Sequence, residues 1–483
     1  MNNVNRELKN GIIISAIGKY SYYLVQFVVL GVLARILTPS EFGIVSVINV
    51  FLIFFSMLID MGIGPAIIQN KNLENKQLNG IFSFTIIFSI ILSLLFALMS
   101  KPIAIFYDDS KLIGASIVMS IALFTSGLNI VPRAILLKQK RFLEANMAQV
   151  ISSVISGIVG ITLALLNFSY YALIFSTIAK NVSMLIIIFL KTNLKILTKI
   201  RKEDLIAIYS FSKNQFLFNF INYFSRNLDR LLIGKFLNLK ELSYYERAYQ
   251  LSLYPNQILT NVITPVIQPI MSEYEDKKEI IKKTYLTISR LLAFIGMPLS
   301  VFLYFSSEEI IYILFGQQWT GSILTLQILS LSIWIQMILS STGSIFQSTN
   351  RTDLLLLSGI MSTILNIIGI VIGIWLGEIH YVALAILISF SINFIQANYL
   401  LMVKVFQVKQ YEFYKVLGHP FIISVLVLVP LLALDYFIGN YSIITLMISK
   451  AILSLSMFLL GLKITGNIEI LGKIFKSRKK DKV

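Results

Sequence analysis

The chain has no cysteine among its 483 residues, which excludes disulfides, thiolate metal sites and cysteine nucleophiles at once. Histidine is almost as scarce: His380 and His419 are the only two, and both fall near the ends of expected helices, so no histidine metal centre is expected. Charge of either sign is thin, at 13% of residues, and acidic residues number only 24 against 41 basic ones. A glycine-rich phosphate-binding loop is missing, and no connection longer than about 20 residues remains to hold a nucleotide-binding domain, which excludes direct ATP hydrolysis. The N-terminal apolar stretch lacks a small-residue cleavage site and contains Lys19 and Arg35, so it is expected to stay as a helix rather than act as a cleaved signal.

What the chain has instead is hydrocarbon. It is 56% hydrophobic with a mean hydropathy of +0.79, far from a soluble globular average. Apolar runs of about 20 residues, each long enough to cross roughly 30 Å of bilayer core, recur along its length. Fourteen are expected, within residues 11–36, 42–70, 79–99, 112–136, 147–166, 169–190, 208–234, 243–271, 284–306, 322–348, 355–377, 379–403, 416–438 and 441–462. The runs at 208–234 and 243–271 are the weakest because both contain several charges.

The net charge of +17 acquires meaning once it is placed on this topology. With the N-terminus in the cytoplasm, about 27 Lys and Arg residues fall in cytoplasmic segments against about 5 outside, an asymmetry that orients both termini inward. The basic excess is therefore topological, and it favours anionic lipid headgroups. Nucleic acid is disfavoured as a partner, because no soluble domain exists to carry it.

A repeat divides the chain. Tyr23, Leu37, Glu41, Pro65 and Ile67 fall on Tyr223, Leu237, Glu241, Pro265 and Ile267 without a gap, and Arg35 falls on Lys235. Duplicated helical halves around a charged seam are a common build for secondary transporters. The expected fold is an all-α integral membrane protein with two six-helix bundles related by a pseudo-twofold axis, plus two C-terminal helices. The expected segments are residues 1–203 (first lobe and basic linker), 204–403 (second lobe), and 404–483 (two added helices and a basic tail). Equivalent interruptions are expected at Pro65, with Gly62 and Gly64, and at Pro265.

Charges inside a membrane mark the candidate site, since each Arg, Lys or Asp at a helix centre costs roughly 2.5–3.5 kcal/mol on insertion scales. On the seventh helix, Asn219, Asn222, Tyr223, Arg226, Asp229 and Arg230 recur at three- and four-residue spacing, hence on one face. On the first helix Ser15, Lys19, Tyr22, Tyr23 and Gln26 do the same, and Lys19, Tyr22 and Gln26 are the repeat partners of Asn219, Asn222 and Arg226. The bland alternative is that each stripe only packs lobe on lobe. Lys180 and Lys450 lie near the centres of their helices, whereas Arg133 and Arg290 lie nearer an end, where snorkelling competes with function. Glu246 and Arg247, as helical neighbours, point about 100° apart and are not automatically a pair. Asp60 could take up a proton or a sodium ion, or pair with a lysine; with Asp229 it is an ion-coupling candidate. No cofactor and no metal are expected, and sodium or proton coupling stays open.

The motifs along the chain resemble a family. Leu37-Thr38-Pro39-Ser40-Glu41-Phe42-Gly43, with Asp60-Met61-Gly62 and Ala66-Ile67-Ile68-Gln69, resembles the opening signature of bacterial polysaccharide flippases. Residues 229–237 (DRLLIGKFL) and 244–251 (YYERAYQL) match their middle signature, and Leu314-Phe315-Gly316 with Trp319 and residues 347–353 (QSTNRTD) their later ones. The likeness runs over nearly the whole chain. It points to the teichuronic acid and colanic acid exporters and O-antigen flippases, within the multidrug/oligosaccharidyl-lipid/polysaccharide flippase superfamily. The resemblance implies no catalysis but translocation, by alternating access in a bacterial cytoplasmic membrane, of an undecaprenyl-pyrophosphate-linked oligosaccharide, with a polysaccharide polymerase as a further partner. Arginine's planar fork suits a pyrophosphate, so Arg226 and Arg230 are the expected headgroup contacts. Lys19, Lys180 and Arg290 follow them, and Asn219, Asn222 and Tyr223 are expected to meet sugar or water. The rivals are a drug or organic-cation exporter on the same scaffold, and a membrane polymerase.

Overall fold

The computed structural model describes residues 2–70, 72–197, 201–272, 274–437 and 442–468. Side chains are described there except at 2–15, 202, 207–214, 217–218, 221–222, 224–226, 259, 261–270, 272 and 437. All regular structure among these residues is helical. The helices are α1 (Asn2–Ile36), α2 (Pro39–Asp60), α3 (Ile63–Gln69), α4 (Asn75–Leu98), α5 (Ser100–Tyr107), α6 (Lys111–Leu128), α7 (Ile130–Lys138), α8 (Phe142–Leu165), α9 (Tyr171–Phe189) and α10 (Lys202–Phe236). They continue with α11 (Leu239–Ser272), α12 (Lys278–Phe305), α13 (Ser307–Leu314), a 3₁₀ turn (Gln317–Ser322), α14 (Ile323–Ser330) and α15 (Ile333–Ser348). Last come α16 (Thr352–Trp375), α17 (Ile379–Tyr399) running into a π-helical turn (Leu400–Val405), α18 (Tyr411–Phe437) and α19 (Ile443–Ile464).

Every expected span meets a helix or a broken helix. Among the described residues eleven are long and apolar enough to cross a membrane, or twelve if the pair bent by 53° between Ser330 and Ile333 counts as one. The other two are α10 and α11, of 35 and 34 residues, which have the length but whose polar stripes dilute the apolar run. This is an all-α, multi-pass membrane protein.

The chain packs as two units, Met1–Ser243 and Tyr244–Val483. The boundary differs from the expected one at 203/204, because α10 packs on α2, α3, α4 and α5 of the first unit. Tyr223 donates its hydroxyl to the Val50 carbonyl at 2.8 Å, and Tyr107 reaches back to the Leu231 carbonyl at 3.3 Å. Gly80 makes the approach of α10 to α4 possible, since a Cβ there would lie 2.2 Å from the Asp204 carboxylate. In the second unit α18 packs on α12, and α19 packs on α18, α12 and α13, so the two added helices are part of that unit.

The repeat persists as geometry. α1 and α10 have equal length at an offset of 200 residues, and α2 and α11 each begin at the same offset. Thr38 caps α2 in a reciprocal box with Glu41, and its equivalent Asn238 takes the Glu241 amide at 2.8 Å. Farther on the offset drifts to 210 at α8 and α16. There Arg141 and Arg351 each follow a residue in the left-handed region (Lys140, φ 57; Asn350, φ 54). Each grips an acid just inside the next helix with two bonds, Glu144 at 2.7 Å and Asp353 at 2.8 Å. Each also points a guanidinium nitrogen at a carbonyl where the sixth helix of its half ends, Lys191 at 2.8 Å and Lys404 at 3.5 Å. The carboxylates hold both guanidinium groups above the ordinary arginine value.

The proline kinks do not appear as an equivalent pair. The first copy breaks at Met61 (φ 42) and Gly62 (φ 76), before Pro65, which then sits in the first turn of α3, where a missing N–H costs nothing. The second copy has Asn261 and Val262 at those positions, and α11 runs on as helix through Pro265.

Candidate functional site

Most of the signature motifs turn out to be scaffolding. Glu41 both closes the Thr38 cap and accepts a hydrogen bond from Ser169, binding the start of α2 to the turn before α9. Trp319 is fully buried, packed on Phe315 and edge-on to Tyr244, whose hydroxyl donates to the Gln318 carbonyl at 3.1 Å. The middle and late signatures thus meet inside the second unit.

The charged positions separate more sharply. In the first unit, α9 packs between α8 and α6, and α1 lies along α8. That packing brings Lys180 to Tyr22: its Nζ donates to the hydroxyl at 2.8 Å and lies 4.9 Å from the ring centroid. Arg133 lies on α7, which packs on α8 and α9, the helices that bring Lys180 to α1. Among the described residues neither cation has a carboxylate within ion-pair distance. Nearby polar groups are committed to helix packing: Asn129 donates to the Thr125 and Asn181 carbonyls, and Asn181 donates to that of Ala122. Lys19 lies exposed on α1, one turn before Tyr22 and Tyr23.

Other expected site residues are held elsewhere. Tyr223 is buried against Phe54, with its hydroxyl spent on Val50, so the expected sugar contact gives way to helix packing. Asn219 accepts from Gln215 at 3.0 Å within α10. Asp229 is buried and accepts the Arg230 amide at 2.8 Å, and the Arg230 guanidinium donates to Asn227 at 3.1 Å. The side chains of Asn222 and Arg226 lie outside the described residues. Among the described residues Asp60 has no lysine partner; its Oδ1 accepts the Gly64 amide at 3.2 Å, bridging the break between α2 and α3.

In the second unit Arg290 donates to Asn467 at 2.8 Å, so it faces the C-terminal helices rather than an entering phosphate. Glu246 and Arg247 do approach, at 3.9 Å, while Arg247 also donates to Gln250 at 2.8 Å. Lys450, a cation near its helix centre like Lys180, has the opposite surroundings. Its three hydrogens reach the Phe305 carbonyl at 2.6 Å, Glu309 at 2.7 Å and Asp435 at 2.9 Å, fastening α19 to α12, α13 and α18.

The cationic group around Tyr22 joins residues that sequence reasoning separated. Tyr22 stood in the α1 stripe but not among the site residues, and Arg133 read as a snorkelling side chain. The break at Asn129, which starts the short helix carrying Arg133, lies between Gly127 and Pro132, and a proline in a first helical turn is the signal that could have found it.

The model of a family described as polysaccharide biosynthesis protein matches residues 32–324. The chain belongs to that family. Relatives of this polysaccharide biosynthesis protein include the teichuronic acid biosynthesis protein TuaB of Bacillus subtilis (strain 168), 23% identical over 73% of this chain and 74% of that one. The lipopolysaccharide biosynthesis protein WzxC of Escherichia coli (strain K12) is 24% identical over 84% and 82% of the two chains. Among solved structures, the lipid II flippase MurJ in an inward closed conformation superposes with a TM-score of 0.73 at 15% identity, covering 94% of this chain and 98% of that one. An inward-facing multidrug resistance MATE transporter gives 0.59 at 18% identity, covering 78% and 92%. These superpositions establish a shared fold.

Proposed function

We propose that this family member is a flippase, which turns an oligosaccharide linked to undecaprenyl pyrophosphate from the cytoplasmic to the outer leaflet by alternating access. Both chain ends then lie in the cytoplasm of a bacterial cell, and a surface-polysaccharide polymerase consumes the product. The observation that carries the reading is Lys180 held at Tyr22, with Arg133 on the neighbouring α7 of the same unit and, among the described residues, no carboxylate within ion-pair distance of either cation. Two uncompensated cations in a membrane helix bundle are costly unless an anion completes them. A diphosphate does so, with arginine offering paired donors and lysine a point charge. An exporter of organic cations would need acidic groups at this place.

Lys19, Arg226 and Arg230 are the further cations proposed for the headgroup, and Asn219 and Asn222 are proposed for sugar. No covalent step is required of any residue. Support also comes from the relatives, which act in teichuronic acid and lipopolysaccharide biosynthesis, and from a fold shared with a lipid II flippase.

The test is leaflet-resolved quantification of lipid-linked oligosaccharide in cells depleted of the protein. Accumulation on the cytoplasmic side, reversed by the wild-type chain but not by a Lys180→Gln/Arg133→Gln double variant expressed at equal level, is the expected result. No accumulation, together with altered sensitivity to cationic drugs, would overturn the proposal.

A further inference from the structure

Arg290 has a setting that the transport reading does not use. It lies on α12, and its Nη2 donates to Asn467 at 2.8 Å and sits 3.4 Å from Nδ1 of His419. The guanidinium carbon lies 5.6 Å from the Phe294 ring centroid, and Nε is buried with no hydrogen-bond partner. Asn467 is brought there by Gly466, whose φ of 68 turns the chain at the end of α19, with the Asn467 amide returning to the Leu462 carbonyl.

The free charge around it is basic. Lys415 lies one turn before His419 on α18, and Lys463 one turn before Asn467 on α19; both are exposed. The nearby acids on these helices are already engaged: Glu279 and Glu412 both contact Lys282, at 2.9 and 3.5 Å. Among the described residues no carboxylate lies within ion-pair distance of Arg290. Arg290 therefore retains an unmet donor and an unmet charge where three helices converge. In sequence, six further Lys and Arg residues follow between 473 and 482.

The position in the bilayer chooses the anion. Asn467 comes just after the last residue of a spanning helix, so Arg290 stands at the level where α19 leaves hydrocarbon. That is headgroup depth. Much of α19 is exposed outside the protein, where lipid would lie. We propose that Arg290, with His419, Lys415 and Lys463, binds the phosphate of an anionic phospholipid at the rim of the second unit. The rim is the cytoplasmic one if the proposed orientation holds, but the site depends only on membrane insertion and not on transport.

The experiment is native mass spectrometry of the purified full chain, with phosphatidylglycerol titrated against phosphatidylcholine. Phosphatidylglycerol should be preferred, and Arg290→Gln and Lys463→Gln should each weaken it about fivefold, the effect of one cation near the surface. Lys191→Gln, in the first unit, should change nothing. If Arg290→Gln folds poorly, Arg290→Lys and the exposed Lys463→Gln carry the test, the first keeping and the second losing the preference. Equal binding of the two phospholipids by the wild type, or an unchanged preference in Lys463→Gln, overturns the site. Displacement of phosphatidylglycerol by added undecaprenyl pyrophosphate, with the same loss in the variants, overturns the phospholipid assignment in favour of the transported lipid.

Discussion

Lys180 and Lys450 read alike in the sequence, each a lone cation near the middle of an apolar run. What separates them is the company brought by helices distant in the chain. Lys450 meets Glu309 and Asp435 and becomes an internal fastener. Lys450→Met should therefore destabilise the fold by about 3–5 kcal/mol, the cost of leaving a buried ion-pair partner uncompensated, seen as a lowered melting temperature in detergent. Lys180→Gln should leave that temperature within a few degrees and abolish glycan export, with Lys180→Arg restoring part of it. A stable but inactive Lys450→Met, or an unstable Lys180→Gln, would reverse these two assignments. Asp60 also shows the limit of reading residues singly. A carboxylate inside a span suggests ion coupling, yet the left-handed turn beside it hands it a free amide. Asp60→Asn keeps an acceptor for Gly64 and should keep transport and its ion dependence. Asp60→Ala should cost about 1 kcal/mol by thermal melting, as other lost helix caps do.

At the scale of elements the sequence was most legible where periodicity and length speak together. All fourteen apolar runs correspond to helices or broken helices, and the two marked weakest are α10 and α11, whose composition falls short of a spanning segment. The interruptions were harder to read. Proline suggested matching kinks at 65 and 265, but a proline in a first turn breaks nothing, and the break belongs to Gly62. Gly62→Ala should cost about 1–2 kcal/mol for a side chain in the left-handed region, measured by thermal unfolding. The same test at Val262, inside continuous helix, should show no such penalty. The attachment of α10 to the first unit was also hidden, because Tyr223 looks equally suited to sugar and to a backbone carbonyl. Tyr223→Phe should lose about 1 kcal/mol of stability and leave export intact.

For the whole molecule, two units each close their fifth and sixth helices with the same arginine device. The repeat was visible at α1–α2 because no gap separates the copies there. It faded toward α8 and α16, where the offset has drifted and Lys140 answers to Asn350. Shape had been kept while spelling changed. Because Arg141 and Arg351 sit in different units, the stability losses of Arg141→Ala and Arg351→Ala should add to within about 0.5 kcal/mol in the double variant. A larger coupling energy from that cycle would mean that the two clamps are not independent.

The clamp also carries a date. A feature present in both halves was already there when one ancestral segment was copied, whereas one confined to a single half arose, or was lost, afterwards. The arginine clamp and the polar caps that start α2 and α11 belong to the older layer. The Gly62 break has no counterpart in the second half, where α11 runs on as helix through Val262, so it was gained or lost in one half after the copying. The segment that was copied then already tied its fifth helix to its sixth.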